Sequence, residues 1–152
     1  ARVMPTTAVA VGRGVASLYS EGPLARDRAR ALFGPVATVV DLEEESLLHA
    51  ATGVSGSAPA YFYAFVEALE AAGTAAGLPP GASRDLARAT MVGAAALMDA
   101  SGEDPAELRR QVTSPGGTTE AALAILRGES GLGPLLRDAV SAAARRSGEL
   151  GG

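Results

Sequence analysis

The 152-residue chain contains no cysteine, no lysine and no tryptophan, and a single histidine, His49. Without cysteine there are no disulfides, thiolate nucleophiles or thiolate metal sites. Without lysine there is no Schiff base and no P-loop lysine. One histidine excludes a multi-histidine metal centre, while a carboxylate site stays open. Aromatics are scarce, with three Phe and three Tyr. All 13 positive charges are arginines, set against 17 acids, for a net charge of −4. Scattered Arg on a mildly acidic chain leaves no electrostatic footprint for nucleic acid. No run reaches the ~18 apolar residues of a membrane span. Residues 58–69 are broken by Glu67, and residues 91–98 are too few. The opening residues show no signal-peptide pattern, so a cytoplasmic location is the default expectation.

What the chain does have is alanine, 33 residues of it, and 19 glycines. An apolar share of 47% with 20% charge is globular composition. Small side chains bury little area each, so a core of Ala, Leu, Val and Met must pack closely.

The chain changes character near residue 42. Before it, the pattern is mixed α/β. Residues 2–5 are a short apolar piece ending in Pro, and residues 14–19 alternate loosely like a strand. Residues 23–33 read as a helix with Pro first, and residues 36–42 are β-branched and strand-like. The chain opens at Ala1 and runs straight into strand-like sequence, which raises the expectation of missing upstream residues. After residue 42 alanine takes over and favours helix. Predicted helices are 43–52, with Glu43, Glu44 and Glu45 in its first turn; 59–76; 83–100, capped by Ser83; 104–111; 118–127; and 134–150. In 104–111, Asp104 is the N-cap, Pro105 follows, and Glu107 stands where a capping box needs it.

Two of these helices lack a polar face. YFYAFVEAL at 61–69 and ATMVGAAALM at 89–98 are apolar nearly all round. Such helices must be covered all round. The expectation is a second copy of the chain, with Gly93, Ala94, Ala95 and Ala96 allowing close backbone approach. A tightly wrapped monomeric bundle is the alternative.

The most informative loop is Val112-Thr113-Ser114-Pro115-Gly116-Gly117-Thr118-Thr119, which opens onto a helix N-terminus. Two glycines expose backbone N–H groups, and the hydroxyls and helix end add donors and partial positive charge. With no Lys or Arg in the loop, a singly charged carboxylate suits it better than a phosphate. A plain turn with a threonine N-cap accounts for the same residues. A second loop, residues 52–61, has Gly53 and Gly56 and a capping Ser57; no His–Asp partners make it a hydrolase elbow. Glu45 and His49 stand four apart, a metal-pair spacing that is more often structural, and no metal is expected.

In order along the chain, these pieces resemble pyrroline-5-carboxylate reductase. The resemblance is carried by Arg2-Val3-Met4-Pro5, by Glu44-Glu45 with Thr52-Gly53, by Ser55-Gly56-Ser57 with Pro59-Ala60-Tyr61, and by Gly77-Leu78-Pro79. Gly93-Ala94-Ala95, Pro105, Leu108 and Arg146-Ser147 with Glu149-Leu150 also fit. The specific part is Ser114-Pro115-Gly116-Gly117-Thr118-Thr119 followed by Ala122, Leu123 and Leu126.

The resemblance implies a mainly α fold: a helical, 6-phosphogluconate-dehydrogenase-like C-terminal dimerisation domain over residues 43–152. Residues 1–42 would be the last α/β edge of a Rossmann-type dinucleotide-binding domain. It implies proline biosynthesis by hydride transfer from NADPH or NADH to the C=N bond of 1-pyrroline-5-carboxylate. An interleaved homodimer or larger assembly would form, with a small imino acid as substrate. No G-x-G-x-x-G occurs, so the main cofactor site would lie upstream and this stretch alone would be inactive.

By the same resemblance, Thr119 would sit near the ring nitrogen and Glu45 would favour the protonated imine. Ser114, Gly117, Thr118 and Thr52 would complete the substrate shell, and Gln111 would approach the cofactor. Orientation of two reactants would supply most of the acceleration. Thr6, Ala58 and His49 depart from the usual family residues. Those departures leave room for a related imine or 2-oxo-acid reductase. A non-catalytic helical dimerisation module is the remaining alternative.

Overall fold

The computed structural model describes residues 1–151. It is mainly helical, with a short three-stranded sheet near the start. Strand β1 (Arg2–Pro5) runs antiparallel to β2 (Gly14–Tyr19), with Arg2 opposite Tyr19 and Pro5 opposite Ala16. Helix α1 (Pro23–Phe33) then returns the chain so that β3 (Ala37–Asp41) lies parallel to β2. A parallel return needs such a crossover. The order β1-β2-β3 makes β2 central, and Ala16, Ser17 and Leu18 are buried there. Pro5 lacks an N–H and fits the end of an edge strand. Thr6 is buried beside it, donating its N–H to the Val15 carbonyl and accepting the Val15 N–H on Oγ1.

The helices that follow are α2 (Leu47–Ala51), α3 (Ala58–Ala75), α4 (Pro80–Ser101), α5 (Pro105–Gln111), α6 (Thr118–Leu126) and α7 (Leu132–Gly151). By packing, residues 1–59 and 135–151 form one unit and residues 60–134 another.

In the first unit, α2 begins later than the sequence pattern suggests. Ser46 precedes it, and Glu43, Glu44 and Glu45 lie ahead of its first turn instead of in it. The helix continues as a wide π turn over Thr52–Gly56, closed by the Ser57 N–H onto the Thr52 carbonyl. Thr52 Oγ1 and Ser55 Oγ donate back to the Leu48 and Ala51 carbonyls, a pattern that bends helices. The turn lies against α7. A β-carbon on Gly53 would stand 2.8 Å from the Val140 carbonyl oxygen.

In the second unit, Ser83 is not the cap of α4. Pro80 occupies the first turn, where its missing N–H costs nothing. Ser83 lies inside the helix and its Oγ donates to the Glu70 carbonyl of α3 at 2.6 Å. Of the described residues 60–134, only Ser83 and Ala87 are buried. Phe62, Tyr63, Leu86, Val92 and Leu97 stay exposed, Val92 to 69%. On α5, Asp104 caps as expected, accepting the Ala106 N–H at 2.7 Å. Glu107 closes no capping box, because its carboxylate is taken by Arg110.

The Gly53 contact gives a stability test. Gly53→Ala is expected to lower stability by about 1–3 kcal/mol through overpacking. Gly148→Ala, at a helical position where a β-carbon meets nothing within 4 Å, is expected to be neutral or to raise stability by about 0.5–1 kcal/mol. Thermal unfolding of the two variants checks both directions.

Candidate functional site

The predicted site residues fall in both units. Glu45 and Thr52 belong to the first, Gln111, Ser114, Gly117, Thr118 and Thr119 to the second.

In the first unit, β1, α2, the π turn and α7 enclose a cleft of about 500 Å³. Its polar lining residues are Arg2, Glu45, His49, Thr52, Ser57, Arg146 and Ser147, set among apolar Val3, Met4, Leu48 and Leu150. Most of these groups hold one another. The Glu45 carboxylate accepts from Arg2 Nη1 at 2.5 Å. His49 Nδ1 shares a hydrogen bond with Ser147 Oγ at 3.0 Å, tying α2 to α7. Arg146 pairs with Glu149 one turn along α7. The Glu45/His49 spacing therefore serves an ion pair and a helix contact. Among the described residues no cluster of three or more His, Asp or Glu could hold a metal. The Thr52 hydroxyl proton is committed to Leu48, which leaves its oxygen as an acceptor.

In the second unit, residues 114–117 form a tight turn. The Gly117 N–H donates to the Ser114 carbonyl at 3.0 Å, Pro115 follows Ser114, and Gly116 has φ +69°. Proline second and a left-handed glycine third are the signature of a type II turn. Gly117 is then the N-cap of α6, and no side chain caps that end. The Gly117 N–H is thus spent inside the turn, where the sequence had suggested a free donor. The Gly116 N–H is spent as well, on Glu120 Oε2 at 2.7 Å. The first intrahelical bond is Ala121 N–H to Gly117 O. That leaves the N–H groups of Thr118, Thr119 and Glu120 without a partner among the described residues. Three unpaired donors at the positive end of a helix are the kind of group that can receive an anion. Thr119 is half-buried there, while Ser114 and Thr118 are exposed.

The sequence did not point to Glu120, because a side chain reaching back across a turn leaves no periodicity. An acid three positions past a glycine cap was the available signal.

Gln111 ends α5, one turn before this loop. Its Nε2 donates to Glu103 at 2.7 Å and to Glu107 at 3.3 Å. Hydrogen bonds from Arg110 and Gln111 hold the Glu107 carboxyl below its ordinary range. Folding therefore favours the charged form. The contribution is present above the unfolded value and is lost as pH falls through the lowered one. Acid is expected to loosen α5, and Glu107→Gln to remove that part of the pH dependence. Amide shifts of α5, followed from neutral pH into the carboxylate range, check it.

No helix among the described residues is long and apolar enough to cross a membrane.

Comparison with known proteins matches residues 45–150 to the family described as pyrroline-5-carboxylate reductase dimerisation. The chain is 42% identical to the pyrroline-5-carboxylate reductase of Synechocystis over 99% of its own length and 57% of that protein's. It is 44% identical to the Glycine max reductase over 98% of the chain and 55% of the relative. The solved pyrroline-5-carboxylate reductase of Coxiella burnetii superposes with TM-score 0.90 at 33% identity, covering 98% of this chain and 56% of that one. The Plasmodium falciparum pyrroline carboxylate reductase, solved with NADP bound, superposes with TM-score 0.81 at 29% identity, covering 99% and 60%. The chain thus spans little more than half the length of the relatives it matches.

Proposed function

The chain belongs to the pyrroline-5-carboxylate reductase dimerisation family, and from that premise we propose that it is the dimerisation and substrate-binding part of an imine reductase. The reaction is hydride transfer from NADPH or NADH to the C=N bond of 1-pyrroline-5-carboxylate, giving L-proline. Residues 43–152 act as the helical domain, and residues 1–42 as an edge of a Rossmann-type domain. The reading carries with it the cytoplasmic location expected of a soluble metabolic reductase.

The observation that carries the proposal is the turn before α6. Its unpaired Thr118, Thr119 and Glu120 amides suit one carboxylate, the only permanent charge on the substrate. Ser114 adds an exposed hydroxyl beside the turn. Thr119 is assigned to the ring nitrogen; in the first unit, taken by itself, Thr52 and Glu45 are the residues assigned to the substrate. Glu45 favours the protonated imine, the better hydride acceptor, provided that Arg2 releases it. The nicotinamide cofactor supplies the hydride, and the chain's own residues bind and orient the acceptor. Without a glycine-rich dinucleotide turn, this chain does not cradle the cofactor's phosphates. Gln111, flanked by Glu103 and Glu107, suits a neutral part of the cofactor.

The exposed apolar faces of α3 and α4 support a homodimer in which two copies interleave. Each large apolar side chain fully buried there contributes about 1.5–3 kcal/mol. Sedimentation is expected to give at least twice the 15.1 kDa chain mass. A compact monomer would remove the interleaved dimer.

Residues 1–152 alone are expected not to turn over the imine with NADPH. Proline or a cyclic analogue is expected to shift the Gly116, Gly117 and Thr119 amides of this chain. An unchanged loop would favour a non-catalytic module. In a full-length protein carrying the chain, Thr119→Val is expected to lower kcat/KM by about 10- to 100-fold. Turnover of other cyclic imines or 2-oxo acids in preference to 1-pyrroline-5-carboxylate would reassign the substrate.

A further inference from the structure

We infer that Glu120 is a positioning residue for the anion-binding turn. It locks Gly116 so that the free amides of α6 face the substrate carboxylate. The inference rests on the functional reading above, and it adds a residue to which that reading gives no side-chain role.

Closing the turn uses the Gly117 N–H on the Ser114 carbonyl and leaves the Gly116 N–H unsatisfied. Gly116 sits at φ +69° with nothing near the position of a β-carbon. A glycine in open space is the residue with most freedom to leave that conformation. In a capping box, a Glu at the third helical position accepts the N–H of the N-cap residue. Here the N-cap is Gly117 and its N–H is already used. Glu120, at that third position, reaches one residue further back and takes the Gly116 N–H at 2.7 Å. A bond to a charged acceptor is stronger than its neutral counterpart. A carboxylate in the first turn is also favoured by the helix dipole.

The same charge has an opposite effect on the ligand. It lies beside the amides that would receive the substrate carboxylate, and like charges repel. Glu120 therefore helps through geometry and hinders through charge. Glutamine keeps an acceptor for the Gly116 N–H and removes the charge, whereas alanine removes both.

Two measurements test this. In residues 1–152, solvent exchange of the Gly116 amide is expected to speed up several-fold in Glu120→Ala and to stay near the parent rate in Glu120→Gln. In a full-length protein carrying the chain, Glu120→Ala is expected to raise KM for 1-pyrroline-5-carboxylate several-fold with kcat nearly unchanged. Glu120→Gln is expected to return KM to the parent value or below it. Unchanged Gly116 exchange in Glu120→Ala would overturn the inference on its own, whatever the reaction is. So would an unchanged KM in Glu120→Ala, or a Glu120→Gln variant as impaired as the alanine one. A parent protein that does not reduce the imine would instead overturn the functional reading, and with it the substrate half of the inference.

Discussion

Helices built from alanine cannot bury much of themselves, and the helical unit of this chain meets that constraint directly. In residues 60–134 the buried positions are Ser83 and Ala87, one small polar and one small apolar side chain. Phe62, Tyr63 and Val92 point outward. The free energy that usually stabilises a domain comes from apolar area removed from water. Here that area lies on faces the chain does not cover. A second copy of those faces is the economical cover, because a two-fold contact lets one apolar stripe serve both partners.

The buried polar contacts fit the same frame. Ser83 hydrogen-bonds across to Glu70, and Gly73 leaves the room that lets the two helices come together there. In the first unit, Gly53 does the same for the π turn and α7, and Gly56 lies over Met4. Both units use small residues to bring backbones close where bulk is scarce. Close approach substitutes for large side chains, since dispersion depends on the number of atoms in contact.

Much of this was legible in the sequence, and the reasons differ from element to element. Residues 23–33 were readable to the residue because Pro23 and Gly34 punctuate the helix. Asp104 was readable because a cap is a local device. The start of α2 was not. Three glutamates look like a helix start, yet Glu45 is held by Arg2, more than 40 residues away in the chain. The π turn was equally hidden, since it lies against α7, a segment far along the chain. Ser83 looked like a cap and became a bridge, because Pro80 starts the helix earlier. Local signals survived where one segment decides the outcome and failed where two segments do.

The turn before α6 shows both cases in four residues. Ser114-Pro115-Gly116-Gly117 encodes its own geometry: proline sets one φ, and Gly116 takes a conformation that costs other residues energy. What the pattern leaves open is which amides remain for a ligand. The count depends on internal acceptors, and the Ser114 carbonyl and the Glu120 carboxylate each take one. The donors left over come from the helix end itself, at Thr118, Thr119 and Glu120. What this end of α6 can offer an anion is therefore set by subtraction: the turn uses two of its own amides to hold itself in place, and the helix N-terminus presents the rest. Such an end has little charge of its own and depends on orientation. That suits a small carboxylate better than a phosphate, which would draw on the cationic side chains this loop does not have.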